Sequence, residues 1–363
     1  DDALIAKGPL TATGTSDQPI TFTSHATPRN PGQWDGIVLE GGTQTDQVKH
    51  WRVRYARQGL TIENIQPSSP LPVESVGGDS VSGAGVRLDQ SSVSATGWSV
   101  SSANTGIAIT DAQAEVTGAT IENVGSQGIL LKGDDTDATV SGVTIEQSGA
   151  KVRTGSCVWV RDDITLDLSD SELRRCKYGL LVKDDGLAGT FVTATGNVIS
   201  ENQIGVRVDT ECCDEPYPSQ LKVRENTIDG NVDGAVSAEG GDNPRQTELD
   251  FTDNWWGTTD AVEIAGRIRD QSDAGDAAFV EFLPLWDSPP GENPSPTRTG
   301  PGGETFWSGR VDQAQTWSPG DQTTLVGKTI FTASLTIEAG TTIEAVDDAL
   351  IAKGPLTATG TSD

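Results

Sequence analysis

Six aspartates fall in three pairs, Asp134 with Asp135, Asp162 with Asp163 and Asp184 with Asp185, each just after a basic residue: Lys132, Arg161 and Lys183. Carboxylates stacked a few ångströms apart repel by about 1 kcal/mol per pair in water, so such a column needs a cation or basic neighbours to settle it. Two chemistries fit: a calcium or substrate site, or a solvated salt-bridge ladder in which Lys132, Arg161 and Lys183 form a second column beside the acids. The regular basic neighbours favour the ladder. Histidine occurs only at His25 and His50, with no His-Glu-x-x-His motif, so metal-assisted hydrolysis lacks ligands. Paired carboxylates for glycoside hydrolysis carry little weight where acids are this common. Four cysteines, Cys157, Cys176, Cys212 and Cys213, show no Cys-x-x-Cys knuckle, which argues against zinc. They allow three disulfide connectivities, of which Cys157 to Cys176 with a vicinal Cys212 to Cys213 bridge is one. Among the tryptophans, Trp255, Trp256, Trp286, Trp307 and Trp317 are expected at the ends of the fold and Trp98 and Trp159 in its core. Trp34 and Trp51 remain as a candidate carbohydrate platform.

The elements that must position these side chains are announced by a repeat. A glycine followed by apolar, any and apolar residues begins nine times, at Gly36, Gly59, Gly85, Gly106, Gly128, Cys157 (in place of glycine), Gly179, Gly205 and Gly234, at spacings of 21 to 29 residues. That is one turn of a three-sided coil and too short for a strand plus a helical crossover. Between these phrases lie segments of alternating apolar residues, each a strand with one face buried. Superposing three of them aligns Asn197, Asn226 and Asn254 and, two residues on, Ile199, Ile228 and Trp256. Such a stack resembles the asparagine ladders of β-helices, where each amide satisfies backbone groups one rung away. A β-sandwich would instead show two-residue Asn-Gly or Asp-Gly hairpins and strands that reverse. Parallel stacking puts Ile37, Val38, Leu60, Ile107, Leu130, Val160, Leu181 and Val206 among the candidates for one apolar column, although alternation fixes a face and not its absolute sense.

Two longer stretches carry a family resemblance. LTIEAGTTIEAVDDALIAKGPLTATGTSD, residues 335–363, resembles the opening coils of pectate-lyase-like right-handed parallel β-helix proteins, and QPITFTSHATPRNPGQWDGIVLEG, residues 18–41, is similar to the segment that comes next in those proteins. DNWWGTTDAVEIAGRIRD with VEFLPLW, between residues 253 and 286, resembles the closing coil. The resemblance implies an all-β, right-handed parallel β-helix of about ten coils with a capping segment. It says little of function, because this fold carries lyases, hydrolases, epimerases, adhesins and tail spikes. Members that cleave acidic polysaccharide hold Ca²⁺ with carboxylates on a strand face and move the proton with Arg or Lys. For such a member the six aspartates above are the nearest metal candidates, with Ca²⁺ the ion they would hold; otherwise no cofactor is expected to be required.

Acidic residues number 53 against 25 basic ones, a net charge of −28 that repels nucleic acid and anionic membrane. Arginine in excess of lysine, abundant aspartate and sparse aromatics resemble the proteins of salt-loving archaea, where dense salt screens the repulsion. The rival explanation is a calcium-binding extracellular protein. No apolar run approaches the twenty residues of a membrane span, and the absence of methionine suggests a mature or internal segment of a longer product.

Residues 1–17 recur unchanged as residues 347–363, an offset of 346. The opening coils therefore come last, after the closing coil and a Pro- and Gly-rich stretch, which divides the chain into a β-helix (1–287), a linker (288–303) and an opening cap with the first coils of a next repeat (304–363). The order points to a secreted or cell-surface structural module that joins copies of itself head to tail into a filament or adhesin-like fibre. The alternative is a polysaccharide lyase or hydrolase acting on acidic glycans.

Overall fold

The computed structural model describes residues 2–8, 10–42, 47–66, 69–147, 155–184, 190–210, 220–238, 248–270, 278–346 and 350–360. One coil shows the plan. The strand Thr105–Thr110 turns at Asp111 into Gln113–Thr117, that strand turns at Gly118 into Thr120–Glu122, and a last corner at Asn123 leads to Gln127–Lys132, the first strand of the next coil. Asp111, Gly118 and Asn123 all have positive φ, so each corner is one left-handed residue. The short side chains of Asp and Asn tolerate that conformation by bonding locally. Successive coils pair strand on strand in parallel, as Thr105↔Gln127 and Ile107↔Ile129 do. Among the described residues the result is an eleven-stranded sheet on one side and an eighteen-stranded sheet that wraps the other two.

The interior is a column of aliphatic stacks. Ile37, Leu60, Val86, Ile107, Ile129, Val158, Leu180, Val206 and Val236 follow one another in register, and all are buried. Leu39, Ile62, Leu88, Ile109, Leu131, Val160, Val182 and Val208 form the adjoining stack. Ile37, Leu60, Ile107, Val160 and Val206 therefore face inward as expected. Val38, Leu130 and Leu181 do not. They lie in register with Thr61, Arg87, Ala108 and Arg207 on the outer face, and Trp159, expected in the core, shares that outer column half-buried. Trp98 is in the core, its indole N–H donating to the Val73 carbonyl at 3.0 Å.

Two asparagine ladders stitch the corners. The backbone N–H and the side-chain amide of Asn197 both donate to Asn226 Oδ1, and Asn226 repeats both bonds to Asn254 Oδ1. Ser171 extends the ladder below, its N–H donating to Asn197 Oδ1 and its Oγ accepting from Val143 N. A second ladder, from Cys176 through Asn202 to Asn231, runs along the neighbouring corner with the same pattern.

The column closes on aromatic and helical cover. Trp256 is buried edge-on to Phe282 at 6.4 Å, and the short helix Ala261–Ala265, capped by Asp260, buries Ala261 and Ile264. Beyond it the strands Thr305–Val311, Thr323–Phe331, Ile343–Ala345 and Leu350–Ala352 form a second parallel stack around Trp307, Trp317 and Phe331, whose rings lie 5.5 to 5.7 Å apart. Phe306 and Val326 of this stack belong to the main core, so it sits on the closing end of the column and not on the opening strands Ala3–Ala6 and Thr11–Thr13 at the opposite, near end. No helix among the described residues is long and apolar enough to cross a membrane.

Candidate functional site

The acidic column is a set of corners. Asp162 is left-handed, and its Oδ2 accepts from Gly133 N one coil below at 3.0 Å, so this carboxylate holds a turn. Asp134 and Asp135 stand exposed in the preceding turn, and Asp163 is half-buried beside Asp162. The Asp184 side chain and Asp185 lie outside the described residues. Among the described residues no three His, Cys, Asp or Glu side chains converge as a metal cluster. A shallow polar groove does run past Asn64, Gln66, Gln90, Asp111, Asp134 and Asp135. Lys132, Arg161 and Lys183 occupy one outer column, with Thr110 paired to Lys132 below and Asp209 to Lys183 above, and Arg161 approaches Asp162 at 3.5 Å.

The tryptophan platform is corrected. Trp51 is fully buried, packs at a tilt against Phe22 at 5.1 Å and donates its indole N–H to the Ala12 carbonyl at 2.7 Å. It presents no face to solvent. Trp34 is half-buried against the same core, with its N–H on the Arg54 carbonyl at 2.8 Å. Cys157 and Cys176 form a disulfide across 19 residues, while Cys212 and Cys213 lie outside the described residues.

Elsewhere the surface charges form ladders. Arg175 donates to Glu146 below and Glu201 above at 2.8 and 2.9 Å, and its hydrogen bond holds the Glu201 carboxyl below the usual carboxylate range. Arg224 reaches Asp250 at 2.6 Å, but burial beside Asp250 and Glu225 still pushes the Asp253 carboxyl up. Exposed pairs of this kind are each worth about 0–1 kcal/mol, too little to offset a net charge of −28 by themselves. The melting temperature is therefore expected to rise by about 5–15 °C between about 0.1 M and about 2 M KCl as the repulsion is screened. A salt-indifferent melt in scanning calorimetry would show that self-repulsion does not limit this fold.

The two ends of the column are its most unusual feature, and sequence periodicity alone does not reveal their geometry. At the near end, among the described residues, Ala3–Ala6 pairs only upward, with Gly36–Gly42, and Thr11–Thr13 only with Gln47–Arg54. At the far end, among the described residues, Leu350–Ala352 pairs only downward, with Thr323–Phe331, and Leu356–Ala358 with Leu335–Ile337. The contact between the far stack and the column is welded by Arg298. Its guanidinium lies over the Trp307 ring at 5.4 Å and donates to the carbonyls of Leu283 at 3.3 Å and Ser308 at 3.5 Å. Burial pushes this arginine below its ordinary value, with the Glu281 charge opposing the shift. Glu281 in turn accepts from Arg310 N at 3.3 Å.

Parallel three-sided coils with an aliphatic interior and asparagine ladders define the β-helix class of protein. Residues 84–255 match the family model described as a right handed beta helix region, and the chain is a right-handed parallel β-helix. No curated protein and no solved structure matches the chain.

Proposed function

We propose that this chain is a structural module of a secreted or cell-surface fibre, built so that one β-helix column continues coaxially into another. The carrying observation is the polarity of the far stack. It covers the closing coil with Phe306 and Val326 on one side and, on the other, begins a fresh parallel coil that no further strand covers among the described residues. A terminal cap in a solenoid presents a polar outer face that ends the stack. This one instead carries strands that repeat the first strands of the column residue for residue, and among them Leu356 is half-exposed. The Cys157–Cys176 disulfide fits an oxidising compartment outside the cell. The acidic surface with its charge ladders fits a salt-rich medium.

The test is a polypeptide of two consecutive 346-residue periods. Thirteen rungs per period, the eleven of the large sheet plus Thr305–Val311 and Thr323–Phe331, give an axial repeat of about 62 Å at ~4.8 Å per rung. Small-angle scattering and negative-stain microscopy are expected to show one straight rod lengthened by that amount. Two beads on a bent joint would overturn the reading, as would release of unsaturated sugars from polygalacturonate or alginate by the purified chain.

A further inference from the structure

Resting on that module reading, we infer that residues 350–358 stand in for the first coil of a following copy of this chain, and that the partner of the open end is the coil 3–13 of a second copy. The two segments are identical in sequence, offset by 346 residues, yet each is paired on the side where the other is bare. Placed on one another they complete a rung. Thr329 pairs with Leu350, which is Leu4 of the next copy, and Leu4 pairs with Ile37. Phe331 pairs with Ala352, which is Ala6, and Ala6 pairs with Leu39. On the second sheet Thr336 pairs with Thr357, which is Thr11, and Thr11 pairs with Gln47; Ile337, Ala358 or Ala12, and Val48 line up in the same way. No residue has to shift register in either sheet.

The burial is complementary too. Leu4 is 40% exposed at the near end, while its twin Leu350 packs half-buried on the cluster of Trp307 and Phe331. Leu10 packs half-buried against the main core, while its twin Leu356 is 50% exposed. Each copy of the segment thus covers the leucine that the other leaves open, and only a rung with columns on both sides covers both. Two unrelated surfaces would have no reason to divide one sequence in this way. The contact is heterologous and does not close, so the copies run in one polar direction. The backbone pairing is strand addition at a sheet edge, with a second copy as the occupant.

In the full chain the acceptor edge of Thr323–Phe331 is filled by the chain's own residues 350–352. A chain ending at residue 346 lacks that filler. It is expected to assemble into filaments whose sedimentation rises with concentration, while the 363-residue chain remains single, and a chain of residues 18–346, lacking both copies of the segment, also remains single. A folded 1–346 chain that stays monomeric, or an 18–346 chain that assembles equally well, overturns the inference. Should the 1–346 chain fail to fold, the full chain carrying Leu350→Asp, Ile330→Cys and Ile5→Cys decides. Ile330 pairs with Ile351, the twin of Ile5, so their Cα atoms would sit one rung apart, within disulfide reach. Oxidation is expected to give a ladder of covalent oligomers on a non-reducing gel; monomer alone overturns the inference. A straight two-period rod beside a monomeric 1–346 chain would keep the module reading and reject this joint.

Discussion

Replacing Asn226 by alanine is expected to destabilise the folded chain by about 2–4 kcal/mol, as read from denaturant unfolding. Asn226 is fully buried, and its Oδ1 accepts both the backbone N–H and the amide of Asn197 at 2.9 Å. Its own amide donates to the carbonyls of Ala194 and Arg224 and to Asn254 Oδ1. Truncation strands the buried Asn197 N–H and side-chain amide without their shared acceptor. One such orphan costs about 1–3 kcal/mol, and the void of the missing amide adds to it. Asn226→Asp is expected to cost more, because a buried carboxylate keeps the acceptor, loses three donated bonds and faces the oxygen of Asn254. An exposed strand residue such as Lys222→Ala is the control and is expected to change stability by about 0.5 kcal/mol or less. An Asn226→Ala loss as small as that control would mean the ladder is decorative.

That ladder was the most legible part of the fold. Asn197, Asn226 and Asn254 each sit two residues before a buried Ile or Trp, and this fixed spacing survives loops of different length between the coils. The second ladder, Asn202 to Asn231, went unread although its spacing of 29 residues equals that of Asn197 to Asn226. Its signal was there, but the rung below Asn202 is Cys176 and not an asparagine. The sense of the outer column was also hidden. Alternation locates a face by contrast, and Leu130, Trp159 and Leu181 remove the contrast by placing apolar residues on both faces of three successive strands.

The candidate sites were less legible, for reasons that are local. Trp51 stands apart from the tryptophans of the closing coil, the cap and the inward pattern, and only that elimination makes it a platform candidate. His50 is left-handed, however, and this one residue shifts the phase of the strand so that Val48, Trp51 and Val53 all turn inward. Among the aspartates that follow Lys132, Arg161 and Lys183, Asp162 answers to the need for a left-handed corner, which Asp tolerates, as much as to any ligand. The joint at the ends could be suspected from the duplicated 17 residues. Which side of each copy is bare could come only from the pairing, because an isolated strand sequence carries no mark of the neighbour it lacks.

Gly59→Ala is expected to cost at least about 3 kcal/mol, several times the cost of Gly118→Ala, although both change one hydrogen into a methyl. A Cβ at Gly59 would lie 2.0 Å from the Gly85 carbonyl oxygen, backbone of the next rung and unable to swing aside. The same clash recurs up the column, with Gly106 against Gly128 at 2.4 Å, Gly179 against Gly205 at 2.6 Å and Gly205 against Ala235 at 2.6 Å. This is why the repeat phrase begins with glycine: the chain bends inward there, and the coils stack backbone on backbone. Relieving the contact would require parting two coils by more than 1 Å, roughly the gap to an ordinary van der Waals distance, and would break the parallel pairing of Leu60 with Val86 beside it. Gly118 answers to a different need. It has open space around its missing Cβ but a φ of +64°, so alanine there bears only the left-handed penalty of about 1 kcal/mol. Equal shifts in melting temperature for the two variants would overturn the steric account of the glycine column.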